Sequence, residues 1–154
     1  IKAILAGYEV NIYEVSDFFC NYCNEFTFDE FVKYEKKYNC EPIWNYIYMD
    51  RFLIYRDFDY CVKITVGYFR FFENVFKNFH YDYYYDEPIS TLQSYLGYIV
   101  GEKHGVKYIS QTGARGGIDD SFHYVLADPY ASTLNEIQDY MNMVYSDDEV
   151  KRAE

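Results

Sequence analysis

Two thiols stand close together in FFCNYCNEF, at Cys20 and Cys23. A CxxC of this kind can cycle between dithiol and disulfide, and it is most reactive where a helix N-terminus lowers the pKa of its first thiol. The preceding stretch YEVNIYEV, Tyr8–Val15, alternates apolar and polar residues as a strand does. The sequence therefore places the pair after a strand, at the entry to a helix. Cys40 and Cys61 could complete a four-thiolate zinc site with it, but one CxxC and two single cysteines make only half of the paired-knuckle pattern. Two disulfides, or four small apolar side chains in a core, are the other uses open to these residues.

The remaining candidates for chemistry are sparser. His80, His104 and His123 are scattered, and no HExxH, GxSxG or GxxxxGK[ST] occurs. The loop QTGARGGIDD, Gln111–Asp120, offers backbone N–H groups to an anion, but Asp119 and Asp120 follow at once and oppose a phosphate. Asp119 with Asp120 or Glu102 forms a carboxylate pair for a divalent ion, of a kind that any acidic chain offers. No nucleophile, base and orienting group come together. The expectation is a protein without enzymatic chemistry, cofactor or metal.

Two of these segments together resemble the glutaredoxin family. CNYC matches its strand-then-C-x-Y-C turn, and GGIDD, Gly116–Asp120, is similar to its glutathione-binding GG-x-DD. The resemblance implies a thioredoxin-like fold and a thiol redox role for Cys20 and Cys23. It covers only these two segments. The family's cis-proline is missing, Val106 standing near its place, and the gap between the segments is longer than in a glutaredoxin.

A different surface is written in HYDYYYDEP, His80–Pro88, where four tyrosines and three carboxylates occur without a lysine or arginine. As a strand it alternates, with Asp82, Tyr84 and Asp86 on one face and Tyr81, Tyr83 and Tyr85 on the other. The expectation is that the second face packs and the first stays wet. Acids and Pro88 also suit an edge strand, which proteins protect from unwanted pairing in this way. Carboxylates spaced along a rigid element can stand in for phosphates, with tyrosines against arginine stems. The candidate binding residues are Tyr81, Asp82, Tyr84, Asp86 and Glu87, extended by the helical acids Glu136 and Asp139.

Charge agrees with that reading. Residues 1–79 carry 12 acids and 9 bases, whereas residues 80–154 carry 13 acids and 5 bases, out of a formal net charge of −11. The second half repels nucleic acid and anionic membrane and attracts basic partners. The chain holds 21 Tyr and 13 Phe, and so many phenols cannot all be buried with hydrogen-bond partners. Many must be exposed, as in binding surfaces. AT-rich coding would enrich the same residues without any function.

The elements that must position these residues read as α+β. A sequence of 154 residues, half of them hydrophobic, suits a single domain spanning 1–154. Thr27 and Glu30 form a capping box for a helix ending at Asn39. PIWNYIYMDRFLIYRDFDYCVKITVGYF, residues 42–69, reads as two or three strands with turns at Asp50-Arg51 and at 57–59. FRFFENVFKNF has helical spacing. Ser90 and Gln93 cap a second helix, with Leu92, Leu96, Ile99 and Val100 on one face and Gly105 beyond its end. VKYIS and SFHYVLA read as strands, and Thr133 with Glu136 starts a helix to Tyr145, followed by a frayed tail at 146–154. About four helices and an antiparallel or mixed sheet are expected.

The leading expectation for function is an acidic, tyrosine-rich inhibitor that occupies the nucleic-acid surface of a basic effector or nuclease. It resembles phage antirestriction and anti-CRISPR proteins in size and composition only. It would act in the cytoplasm, without binding nucleic acid or membrane itself. The thiol redox protein is the second reading, and a structural subunit of a larger assembly the third. The sequence does not set the oligomeric state.

Overall fold

The computed structural model describes residues 13–40, 42–113 and 122–126. Its elements run α1 (Val15–Tyr22), α2 (Phe28–Tyr38), α3 (Trp44–Met49), α4 (Phe58–Asn78), β1 (Tyr83–Asp86), α5 (Leu92–Lys103), β2 (Lys107–Gly113) and β3 (Phe122–Leu126). The class is α+β. Five helices are present among the described residues, and the expected helix from Thr133 lies outside them. The strand order is β1-β2-β3. β1 pairs with β2 in parallel, Tyr83 opposite Lys107 and Asp86 opposite Ser110, so the sheet is not purely antiparallel. β2 pairs with β3 antiparallel, from Ile109 opposite Leu126 to Gly113 opposite Phe122.

Local signals set the helix ends. Thr27 accepts a hydrogen bond from the Glu30 N–H at 3.1 Å. The reciprocal half of the expected capping box is not made, because the Glu30 carboxylate is taken by Arg70 at 2.8 and 2.6 Å. Asn39 ends α2 in the left-handed region, at φ 52°. α5 starts one residue later than predicted, at a box made by Thr91 and Ser94 rather than Ser90 and Gln93. Leu92, Leu96, Ile99 and Val100 are all buried, each stabilising the fold by roughly 1.5–3 kcal/mol. Gly105 follows α5 at φ 76°, as expected.

The main correction concerns residues 42–69, which form no strand. They build α3, a turn and the first half of α4, a 21-residue helix that also absorbs FRFFENVFKNF. Asp57 is not a strand turn but the N-cap of α4, accepting the Tyr60 N–H at 2.7 Å. Val62, Thr65, Phe69, Phe72 and Phe76 are buried at helical spacing, so α4 is the central element against which α1, α2 and α5 pack. Aromatic and β-branched residues favour strands only weakly, and burial on a helical stripe overrides that preference. Val15 opens α1 rather than closing a strand. Tyr13 and Glu14 form no strand either, Glu14 being the N-cap of α1, and residues 8–12, the loop 114–120, the helix from Thr133 and the tail lie outside the described residues.

Candidate binding surface

β1 is placed by a single tyrosine. Tyr84 turns inward onto α5 at Gly97, where a built Cβ would come within 2.4 Å of its ring. Phe72, Phe76 and Tyr108 meet that ring edge-on, at centroid distances of 5.6, 6.0 and 5.4 Å. The Tyr84 hydroxyl donates to Asp86 Oδ2 at 2.6 Å, and Asp86 Oδ1 accepts the Glu87 N–H at 2.8 Å. Burial, then the Asp86 carboxylate, pushes the Tyr84 phenol far above its ordinary value, so it is a hydrogen-bond donor at any physiological pH. Tyr108, buried opposite it in register, donates to the Glu87 carbonyl. The Lys107 N–H reaches the Asp82 carbonyl at 2.9 Å, which pins the other end of the strand.

The faces of β1 are therefore the reverse of the sequence expectation. Tyr84 and Asp86 point inward, while Tyr83 and Tyr85 are exposed. The alternation is present but its phase is set by Tyr108 and by the gap over Gly97, neither of which lies in HYDYYYDEP. Among the predicted binding residues, Tyr81, Asp82 and Glu87 are exposed around the strand. Tyr84 and Asp86 are half-buried and hydrogen-bonded to each other. Glu136 and Asp139 lie outside the described residues. Neither Asp82 nor Glu87 forms an ion pair among the described residues, and Lys107, opposite Tyr83, pairs with neither. β1 has a strand neighbour on one side only, so it is an edge among the described strands.

The cysteines are arranged differently from a redox turn. Cys20 is exposed within α1, and Cys23 follows at its C-cap, buried to 1% exposure. The pair thus sits at the negative end of the helix dipole, which opposes a thiolate instead of favouring it. Burial raises the Cys23 thiol above its ordinary value, against the smaller opposing effect of Lys63 and Arg70. Gly67 of α4 makes room for it, since a Cβ there would lie 2.4 Å from Cys23 Sγ. Cys40 and Cys61 are buried elsewhere, and no disulfide joins any of the four among the described residues. Among the described residues no three His, Cys, Asp or Glu side chains group to hold a metal. No described helix is long and apolar enough to cross a membrane.

A cleft of about 210 Å³ opens between Tyr98, Glu102, Gly105, Val106, Lys107 and Tyr108. It is smaller than the roughly 300–1,000 Å³ of small-molecule sites. A second surface escaped the sequence reading altogether. Phe28, Phe58, Trp44 and Tyr48 line up ring against ring, at centroid distances of 5.5, 5.2 and 6.0 Å. Reading residues 42–69 as strands hid it, because two of these rings meet only when α3 and the start of α4 are helical. The usable signal was the composition of YMDRFLIYRDF, Tyr48–Phe58, which is rich in the residue types of interface centres. Comparison with known proteins finds no matching family model, curated protein or solved structure.

Proposed function

We propose that this protein is a non-enzymatic binding protein whose acidic β1 edge engages a basic surface on a nucleic-acid-binding effector or nuclease. The observation that carries this reading is the set of Asp82 and Glu87 carboxylates, exposed and without ion pairs among the described residues, with Tyr81 and Tyr83 exposed beside them. A strand paired with β2, tied at one end by the Lys107 N–H and at the other by the Tyr108 hydroxyl, and anchored by the inward-facing Tyr84, presents these groups without much ordering cost. The negative second half of the chain would speed encounter with a basic partner. Occupying a nucleic-acid surface in this way is how an antirestriction or anti-CRISPR type of inhibitor would act, in the cytoplasm of the cell that holds its target. The thiol redox alternative has less to support it, because Cys23 is buried and its thiol is raised.

The test is a paired substitution, Asp82→Asn with Glu87→Gln, followed by capture of partners from a cell extract at low and high salt. Folding should change by about 0.5 kcal/mol or less. Each charge pair lost across a desolvated interface should cost roughly 1.5–7 kcal/mol of affinity. Capture should be salt-sensitive for the wild type and weak for the variant. A folded variant that captures the same basic protein undiminished refutes the reading. Sub-micromolar binding of the wild type to an oligonucleotide does so as well.

A further inference from the structure

The aromatic row on α2, α3 and α4, and the turn after α3 that carries Phe52 and Tyr55, are exposed to a degree that core packing does not explain. Phe28, Phe58, Tyr48 and Phe52 are 49%, 52%, 62% and 64% exposed, and Tyr55 is 90% exposed. Aromatic side chains bury about 150–250 Å² each when covered. With Met49, also exposed, these residues offer on the order of 800 Å², close to one partner's share of a standard protein interface.

The turn that carries Phe52 and Tyr55 is rigid. Asp50, buried to 4% exposure, accepts the Phe52 N–H through Oδ1 and the Leu92 N–H through Oδ2, both at 2.8 Å. Leu53 in the same turn is buried, and its carbonyl accepts the Arg56 N–H at 2.8 Å. The turn is thus tied both to itself and to α5. A preordered aromatic surface loses little entropy on binding.

Charges identify the occupant. The Phe28 and Phe58 end of the row carries three acids, Asp29, Asp57 and Asp59, in or at the first turns of α2 and α4, against one base, Arg56, whose guanidinium lies 5.3 Å from the Tyr60 ring centroid. At the Tyr48 end the chain runs on through Met49 to Arg51, whose guanidinium lies 5.0 Å from the Phe52 ring centroid. None of Arg51, Asp29 and Asp59 forms an ion pair among the described residues. The row therefore has an acidic end and a basic end. A row of that kind is complementary to itself when two copies lie antiparallel.

We propose that this face is the interface of a homodimer, in which a twofold axis crosses the row between Trp44 and Phe58. Arg51 of each copy then meets Asp29 and Asp59 of the other, and the aromatic rings fill the centre. Such an isologous contact closes on itself. The net charge of −11 per copy opposes association at long range. That repulsion is screened beyond about 8 Å at physiological ionic strength, so contacts at the row decide. The inference does not depend on what β1 binds.

Sedimentation velocity of the purified protein tests it directly. The wild type should show the dimer mass, dissociating on dilution. Tyr48→Glu with Phe52→Glu should leave the urea midpoint little changed and weaken association by about a hundredfold, as expected for charges placed among buried aromatic contacts. Arg51→Glu and Asp59→Lys, made separately, should each weaken self-association by about tenfold or more. Mixing these two variants should restore a dimer. At one end of the mixed pair the introduced glutamate faces the introduced lysine, and at the other end the native arginine and aspartates meet as before.

Three results overturn the proposal. One is a wild type that stays monomeric up to ~0.1 mM, where even a dimer with a Kd on the order of 10⁻⁵ M would be mostly formed. Another is a dimer indifferent to the Tyr48 and Phe52 substitutions. The third is a mixture of the charge variants that associates no better than either alone, which would point to a different partner or a different contact geometry.

Discussion

Gly97 is the position where one methyl group should decide whether β1 stays docked. Alanine at a helix interior is ordinarily better than glycine by about 0.8–1.0 kcal/mol. Here the added Cβ would stand 2.4, 2.7 and 2.9 Å from Tyr84 Cε1, Cζ and the hydroxyl oxygen. A long side chain could swing away at small cost, but the Tyr84 ring is walled by Phe72, Phe76 and Tyr108 and tethered to Asp86. Overpacking of this kind costs about 1–3 kcal/mol. Displacing the ring also strains its hydrogen bond to a charged acceptor, worth about 1.5–3 kcal/mol. The unfavourable effects exceed the propensity gain, so Gly97→Ala should destabilise the protein by roughly 1–3 kcal/mol. Urea unfolding with a constant m value measures it. The decisive control is the double-mutant cycle with Tyr84→Ala. Once the ring is gone, Gly97→Ala should reverse sign and stabilise by up to about 1 kcal/mol. A Gly97→Ala variant that is more stable than the wild type, with β1 amides protected as before in hydrogen exchange, would refute the docking of β1 through Tyr84.

Other consequences are simpler to state. Asp50→Ala strips the acceptors from the Phe52 and Leu92 N–H groups and should cost about 3 kcal/mol by urea melt, with Asp50→Asn retaining part of the stability. Burial first, then Glu73 for Tyr34 and Asp50 for Tyr68, pushes both phenols from 10.0 up to about 12. Their folded pKa values are raised, so the stability they contribute is present below pH 10 and is lost as pH rises towards 12. Alkaline unfolding tracked by tyrosinate absorbance should fall in that window, and tyrosines that all titrate near pH 10 before the fold is lost would contradict it. In the native state iodoacetamide should modify exposed Cys20 far faster than buried Cys23, whose thiol is raised. Cys20→Ser with Cys23→Ser should leave partner binding intact, and loss of binding in a folded double variant would return the thiols to consideration.

Several parts of this molecule were legible in the residues alone because their causes are local. Thr27 and Asn39 bound α2, and the Leu92, Leu96, Ile99 and Val100 stripe with Gly105 marks α5, through contacts no more than a few residues apart. The acidic bias of the second half is likewise a property of composition. Residues 42–69 could not be resolved this way. Tyr, Phe, Ile and Val are compatible with either period, and only burial against α1, α2 and α5 selects the helix. The same is true of β1. Its alternation is written in HYDYYYDEP, but which set of side chains turns inward depends on Tyr108 across the ladder and on the space over Gly97. Asp86 is thereby drawn to the Tyr84 hydroxyl, while Asp82 and Glu87 stay exposed. The aromatic row is the extreme case. Phe28, Trp44 and Phe58 come from three helices, and their rings meet only after the chain has packed. Period and cap are short-range properties of a sequence, whereas phase and adjacency between distant segments are fixed by tertiary packing.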